Sequence, residues 1–153
     1  MQFTGLTGMF PFLGGGNLSS KNLPAINYAS TLPLPDGWSR RQHRESVLRR
    51  SWNAEQAGLL RPERSLRYKS LWWQLWGKSP MGMRELQFLL EHSEHIPASW
   101  QEDWIIGFFG TIDLNSDGDP MVPCLCGTGH RLFMDYYSLA CGWPKGRPIA
   151  RWL

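Results

Sequence analysis

The fold is decided by residues 71–90, which read LWWQLWGKSPMGMRELQFLL. The first six residues place Leu71, Trp72, Leu75 and Trp76 at the i, i+1, i+4, i+5 spacing of one helix face, which predicts that Trp72 and Trp76 are buried in the core. Gly77 is a typical residue just after a helix, and Ser79-Pro80 is a typical start for the next one. The stretch therefore predicts two consecutive helices, from Pro62 to Trp76 and from Ser79 to just before Ile96-Pro97.

A third helix is predicted on the N-terminal side of this stretch. Asp36 is a plausible N-cap, and Leu48, Trp52 and Leu59 recur at spacings of four and seven. This helix would end at Gly58 or at Arg61-Pro62. Because nine tryptophans are unusual for 153 residues, we expect three helices around a Trp-rich core.

The C-terminal third predicts strands instead. Residues 104–114 are rich in β-formers, residues 115–119 (NSDGD) signal a turn, and residues 121–125 return as the partner strand. Pro120 and Pro123 restrict that partner to an edge or a bulge. Residues 131–140 suggest a short helix, and residues 142–153 look irregular.

These patterns predict the α+β class: a three-helix Trp-rich core, a small C-terminal β-hairpin and an extended N-terminal arm. The arm, residues 1–36, is rich in Gly and Pro and almost uncharged, yet it carries many apolar side chains. Because exposed apolar groups are costly in water, we expect the arm to lie on another surface. Residues 37–153 would form one domain, helical over 37–96 and hairpin or irregular over 100–153.

The charge is segregated along the chain. Residues 38–84 contain eleven Lys or Arg and three Glu, whereas residues 85–119 contain eight acids and no Lys or Arg. Such polarity predicts opposite-sign faces that dock on a partner or on copies of the chain.

Composition narrows the class of protein further. Three cysteines do not suggest a disulfide framework, and the first positive charge is Lys21, unlike the start of a secretory signal. No stretch approaches the ~18 apolar residues of a membrane helix. We expect a cytoplasmic protein, or one inside a particle assembled within the cell, that is not secreted by a signal peptide and has no membrane partner.

The best metal candidates are Cys124, Cys126, His130 and Cys141, whose three sulfurs and one imidazole match a tetrahedral zinc shell. An iron–sulfur centre is a lesser alternative. The single residue between Cys124 and Cys126 is awkward for a tetrahedral zinc site, and strand alternation alone would put both on one face. We therefore expect structural thiols and no cofactor.

Two weaker patterns also have simpler explanations. Residues 113–119 match the first half of a calcium loop, but Cys124 stands where the last ligand, Glu, should be. His92 and His95, with Glu91, could share a metal on one helix face, although polar helix ends often look like this.

No motif identifies a reaction, so the sequence favours a non-enzymatic structural subunit of a larger assembly, of the virion, tail, neck or ribonucleoprotein kind. Its partners would be other protein subunits or copies of itself. The alternatives are a nucleic-acid-binding module with a Cys/His zinc staple and a small Cys–His hydrolase. The side chains expected at the partner interface are apolar ones in the arm and arginines of the basic region: Phe3, Phe10, Phe12, Tyr28, Arg40, Arg41, Arg44, Arg49 and Arg50.

Overall fold

The computed structural model describes residues 10–11, 24–26, 32–43, 51–103, 105–128 and 130–153. These residues are mostly β, with 36% in strands against 22% in helices, and they form a curled mixed sheet. The prediction of an α+β three-helix core is therefore wrong. Several segments that show a helical spacing form strands instead, because pairing with strands far along the chain stabilises them more than a local helix would.

Within the described residues, eight strands form this sheet. In chain order they are β1 (Phe10–Pro11), β2 (Ser39–His43), β3 (Ala57–Leu60), β4 (Ile105–Gly107), β5 (Thr111–Leu114), β6 (Pro120–Thr128), β7 (Arg131–Ser138) and β8 (Ile149–Trp152). The main path runs β1-β7-β6-β4-β8-β3, and β5 joins β6 to β2 as a side branch. All pairs are antiparallel except β4 with β8, which meet at Gly107 and Ile149.

The predicted hairpin is confirmed at its turn, but the predicted first strand, residues 104–114, is divided into β4 and β5, which both pair with β6. β5 and β6 pair around the turn, where Asn115 Oδ1 accepts hydrogen bonds from the Asp117 and Asp119 N–H groups. β6 then pairs with β7 along its whole length, so residues 131–138 are a strand and not the predicted helix. Residues 142–153 are not irregular throughout either, since they include β8.

β6 is a central strand in spite of its two prolines. Pro120 is its first residue, a position that needs no ladder donor. The Pro123 carbonyl accepts from the Phe108 N–H, on the side away from β7. The nitrogen and the carbonyl oxygen of a strand residue point to the same side of the strand. The nitrogen of Pro123 therefore faces the gap between β4 and β5, where no backbone partner needs an N–H donor. The expected restriction to an edge or bulge is therefore wrong.

Of the three predicted helices, two exist in shortened form. α1 spans Leu71–Leu75 after a 3₁₀ turn at Tyr68–Ser70, and α2 spans Met83–Glu91. The first predicted helix is absent from the described part of residues 36–61: its ends are β2 and β3, and between them only Ala54–Gln56 makes a 3₁₀ turn. Further 3₁₀ turns lie at Ser93–His95 and Ala98–Trp100.

α2 begins three residues later than predicted, where it is fixed to the sheet. The Met83 N–H donates to Thr111 Oγ1 at 2.9 Å, and the Gly82 N–H donates to Glu85 Oε2 at 3.0 Å. A Cβ at Gly82 would lie 2.7 Å from that Thr111 oxygen, so only glycine allows this approach. Ser79, the predicted N-cap, instead has a positive φ of 49°.

The two faces of the sheet bury separate cores. One face packs against α2, and its largest side chains include Trp52, Phe88, Phe108 and Trp152. The other packs against residues 66–75, around Trp143, Phe109 and Ile149. Ile26 belongs to the first core, and the Trp52 N–H donates to the Pro24 carbonyl, so residues 24–26 of the proposed arm pack with the domain.

Candidate docking surface

The short helix α1 is held in place by its tertiary contacts. Five residues cannot form a stable helix alone, because nucleation costs more than so few hydrogen bonds return. Leu71 and Leu75 provide the missing stability, since they are one turn apart and are 3% and 6% exposed in the second core. The helix ends where Trp76 turns to extended backbone and Gly77 takes a φ of 71°.

The same geometry turns two indoles outward. At about 100° per residue, Trp73 and Trp76 lie about 60° apart on the side opposite Leu71 and Leu75. Trp73 is 82% exposed and Trp76 is 72% exposed. The prediction that Trp76 lies in the core is therefore wrong, and the side chain of Trp72 lies outside the described residues. Trp73 and Trp76, with exposed Lys69 and Lys78 on either side, form what we call the indole face.

The surroundings of the indole face are cationic. Residues 64–84 contain five Lys or Arg and no acid. Arg64, Arg67, Lys69 and Lys78 are exposed, and within the described part of the chain none of these four forms a salt bridge. Trp73 and Trp76 therefore stand on a positively charged surface.

A rigid platform supports this face from below. Leu66 and Trp143 exchange two backbone hydrogen bonds of 2.9 and 2.8 Å, which join the segment before α1 to the C-terminal loop. Trp143 is fully buried, donates from Nε1 to the Arg147 carbonyl at 2.9 Å, and meets Phe109 and Tyr137 edge to face. The Arg147 guanidinium lies 4.9 Å from the Tyr137 ring centre. The indole face is thus carried by packed rings and not by a loose loop.

Two of the basic-region arginines are used inside the molecule. Arg40 Nε lies 2.9 Å from Oδ1 of the fully buried Asp113, and Arg61 makes a two-pronged contact with Asp103, at 3.0 and 2.7 Å. The hydrogen bond to Asp103 raises the pKa of Arg61. Both pairs join the basic segment to the acidic one, so part of the charge segregation in the sequence is neutralised within the fold.

The remaining predicted interface residues are not brought together by the described structure. Arg41 is exposed on β2, whereas the adjacent Arg40 is engaged in the ion pair with Asp113. Phe10 pairs through its backbone with Leu132 of β7. The others lie outside the described residues: Phe3, Phe12, Tyr28, Arg44, Arg49 and Arg50.

The cysteines occupy two environments. Cys124 and Cys126 share one face of β6 and pack in the second core, as strand alternation predicted. Burial raises the pKa of Cys124 well above its usual value and that of Cys126 to about 12, so both thiols stay protonated. His130 and Cys141 are exposed in turns at the two ends of β7. Among the described residues, no three His, Cys, Asp or Glu side chains are grouped as a metal site would require.

The two weaker patterns have structural roles. Asp113, the first residue of the calcium-like loop, is the buried partner of Arg40, and Asn115 closes the β5–β6 turn. His95 lies against Phe88, with 5.8 Å between ring centres, and its carbonyl accepts from Trp52 Nε1 at 3.0 Å. Desolvation lowers the pKa of His95, in part against the opposing effect of Glu94.

Sequence patterning alone does not identify the indole face. The spacing of Leu71 and Leu75 gives one buried stripe, and Trp72 and Trp76 extend it equally well on paper. Two features of the sequence could have indicated it. Polar residues surround Trp73 and Trp76 on the same short segment, namely Lys69, Gln74 and Lys78. Gly77 also ends the helix before a second apolar turn can form.

Comparison of the chain with protein-family models, with curated proteins and with solved structures found no match. Within the described ranges, no helix is long and apolar enough to cross a membrane; α2 has nine residues.

Proposed function

We propose that this chain is a non-enzymatic subunit of a larger assembly and that it docks through the indole face onto a partner with an anionic surface. The observation that carries the proposal is the exposure of Trp73 and Trp76, 82% and 72%, on a segment with five cations and no acid.

Exposed indoles support a docking role because they are costly in water. Burying a large aromatic side chain contributes about 25 cal/mol for each Å² of apolar surface removed from water. Tryptophan and arginine are also enriched among the residues that dominate binding energy at protein interfaces. Two indoles kept outside a core that already contains Trp52, Trp100, Trp143 and Trp152 are best explained by a partner that covers them.

The charge around the indoles supports an anionic partner. Arg40 and Arg61 are engaged by Asp113 and Asp103, whereas Lys69 and Lys78 remain exposed beside Trp73 and Trp76. A surface of one sign attracts its complement from a distance and selects against partners of the same sign.

The two buried thiols favour a binding role over the hydrolase alternative. A cysteine nucleophile works as the thiolate, and the raised pKa values of Cys124 and Cys126 favour the thiol form. Packing in the second core accounts for both residues without chemistry.

The proposed role of the N-terminal arm in docking rests on its apolar sequence. Residues 10–11 pair with β7 and residues 24–26 pack with the domain, so the proposed docking would draw on the other apolar residues of the arm, among them Phe3, Phe12 and Tyr28. The opposite-charge faces contribute through the cations that no acid in the described structure neutralises.

Heparin chromatography tests the anionic docking proposal on the full chain. The Lys69→Gln/Lys78→Gln variant should elute at clearly lower salt than the parent. The control Arg131→Gln removes one exposed cation from outside the indole face and should shift elution much less than Lys69→Gln or Lys78→Gln alone. Equal shifts for these single variants, with all of them folded by circular dichroism, would show that general charge and not this face binds anions.

A further inference from the structure

We infer that the anionic partner of the indole face is a single-stranded nucleic acid, whose bases stack on Trp73 and Trp76 while its phosphates contact Lys69 and Lys78. This inference rests on the proposed function, since it names the partner of the same face.

The first step is the shape of the apolar surface. Among the described side chains of residues 67–79, the strongly exposed apolar ones are Trp73 and Trp76, because Leu71 and Leu75 are buried. Their exposed neighbours are polar or charged: Arg67, Lys69, Gln74 and Lys78. A docking site for an apolar protein patch would be expected to continue into aliphatic side chains, whereas two strongly exposed indoles among polar and charged neighbours match a ligand that offers flat rings of its own.

The second step is the spacing of the rings. Residues three apart on a helix have Cβ atoms about 5–6 Å apart, so the two indoles can receive neighbouring nucleotides of one strand. Open space adjoins them, since a Cβ added at Gly77 would have no atom within 4 Å. A single strand can splay its bases to reach both rings, but a duplex keeps its base faces stacked inside the helix.

The third step is the placing of the charges. Lys69 precedes Trp73 by one helical turn, and Lys78 follows Trp76 by two residues, so a cation flanks the indole pair at each end along the chain. Arg64 and Arg67 precede Lys69 on the same segment and are exposed as well. Proteins that bind single strands without sequence preference use this arrangement, in which bases stack on aromatic rings and phosphates contact cations beside them.

The experiment titrates the full chain with oligo(dT), oligo(U), a DNA duplex of equal length and poly-L-glutamate, and follows tryptophan fluorescence and affinity at several salt concentrations. We expect the two single strands to bind and to quench fluorescence, and the duplex and the polypeptide to bind more weakly. Trp73→Ala and Trp76→Ala should each weaken oligo(dT) binding by roughly 5- to 150-fold. Leu153→Ala, which removes a large apolar side chain that is 67% exposed and lies outside the indole face, is the matched control and should bind as the parent does.

The cations have a separate readout. Each phosphate contact on a single strand contributes about 0.7 to the slope of log affinity against log salt, so Lys69→Gln/Lys78→Gln should reduce that slope by about 1.4. All variants are checked for an unchanged thermal unfolding midpoint, so that a binding loss is not a folding loss.

The outcomes separate this inference from the proposed function. If poly-L-glutamate binds as tightly as oligo(dT), depends on the same indoles and gives no preference for single strands, the partner is an acidic protein and only the inference falls. The inference also falls if duplex and single strand bind equally and the tryptophan variants bind like the parent. If none of the four probes binds and heparin elution is insensitive to Lys69 and Lys78, the inference and the proposed anionic docking both fall.

Discussion

Trp143 and Trp73 are the same residue type in two opposite situations. Trp143 is fully buried, with its Nε1 hydrogen bonded to the Arg147 carbonyl and with the rings of Phe109 and Tyr137 packed nearly perpendicular to it. Trp73 is 82% exposed on a helix that Trp143 helps to support. The difference shows that the apolar character of tryptophan does not by itself decide whether the side chain is buried. Trp73 is exposed because α1 turns Leu71 and Leu75, and not Trp73, toward the second core.

The largest expected effect comes from removing the buried member of this pair. Trp143→Ala should lower the free energy of unfolding by about 3–5 kcal/mol, because it leaves a large cavity and unpairs the Arg147 carbonyl. Trp73→Ala should change it by no more than about 0.5 kcal/mol, as expected for an exposed side chain. Chemical denaturation of both variants measures the contrast, and similar losses at the two sites would break it.

A second contrast separates a paired charge from unpaired ones. Asp113→Ala should destabilise the fold by about 3 kcal/mol, since it leaves Arg40 partly buried without its carboxylate. Asp117→Ala, in the same hairpin but exposed, serves as the control and should have little effect. If Asp113→Ala were as stable as the parent, the ion pair between Arg40 and Asp113 would not matter to the fold.

A third prediction concerns the pH dependence of stability at His95, whose carbonyl accepts a hydrogen bond from the buried Trp52. The folded-state pKa of His95 is lowered by desolvation, so the unfolded chain binds its proton more readily. Its contribution to stability is therefore fully present above the unfolded value of about 6.5 and is lost as pH falls through the folded value. The unfolding free energy should decline in that range, with His92 and Glu94 as the neighbouring titratable groups.

His95→Gln should flatten this decline, whereas His130→Gln, at an exposed turn, should leave it unchanged. Denaturant unfolding at a series of pH values between neutral and mildly acidic provides the measurement. An identical decline in the parent and in His95→Gln would assign the pH dependence to other groups.

The smallest effect on stability, but the clearest on reactivity, is expected at the cysteines. A thiol-reactive dye should modify Cys141 in the native protein and reach Cys124 and Cys126 only after unfolding, because the latter two are buried and protonated. The expected count is one reactive thiol in buffer and three in denaturant. Rapid reaction of a β6 thiol in the native chain would revive the nucleophile interpretation.

The sequence predicted the parts of the fold that local signals control. The turn at residues 115–119 forms because Asn115 and Gly118 suit it on their own, and both predicted helices of residues 71–90 appear in part. Residues 39–43 and 131–138 could not be assigned as strands in this way, because their structure depends on partners far along the chain, β5 and β6 respectively. Long-range pairing of this kind leaves no periodic mark strong enough to overrule a helical spacing.

The candidate site was predictable to the same limited degree. The interleaving of aromatic and basic residues is visible in the sequence, but which indoles face outward depends on how Leu71 and Leu75 meet the second core. Likewise, Arg40 looks like any other arginine of the basic run until β2 places it beside Asp113.

The most direct test of the account combines folding and binding in one variant, Trp73→Ala/Trp76→Ala. Its thermal unfolding midpoint and its affinity for oligo(dT) are measured on the same sample beside the parent and Leu153→Ala. The account predicts a midpoint equal to the parent's and a loss of binding. A midpoint lowered by several degrees with binding intact would contradict it, because the indole face would then belong to the core and not to a partner.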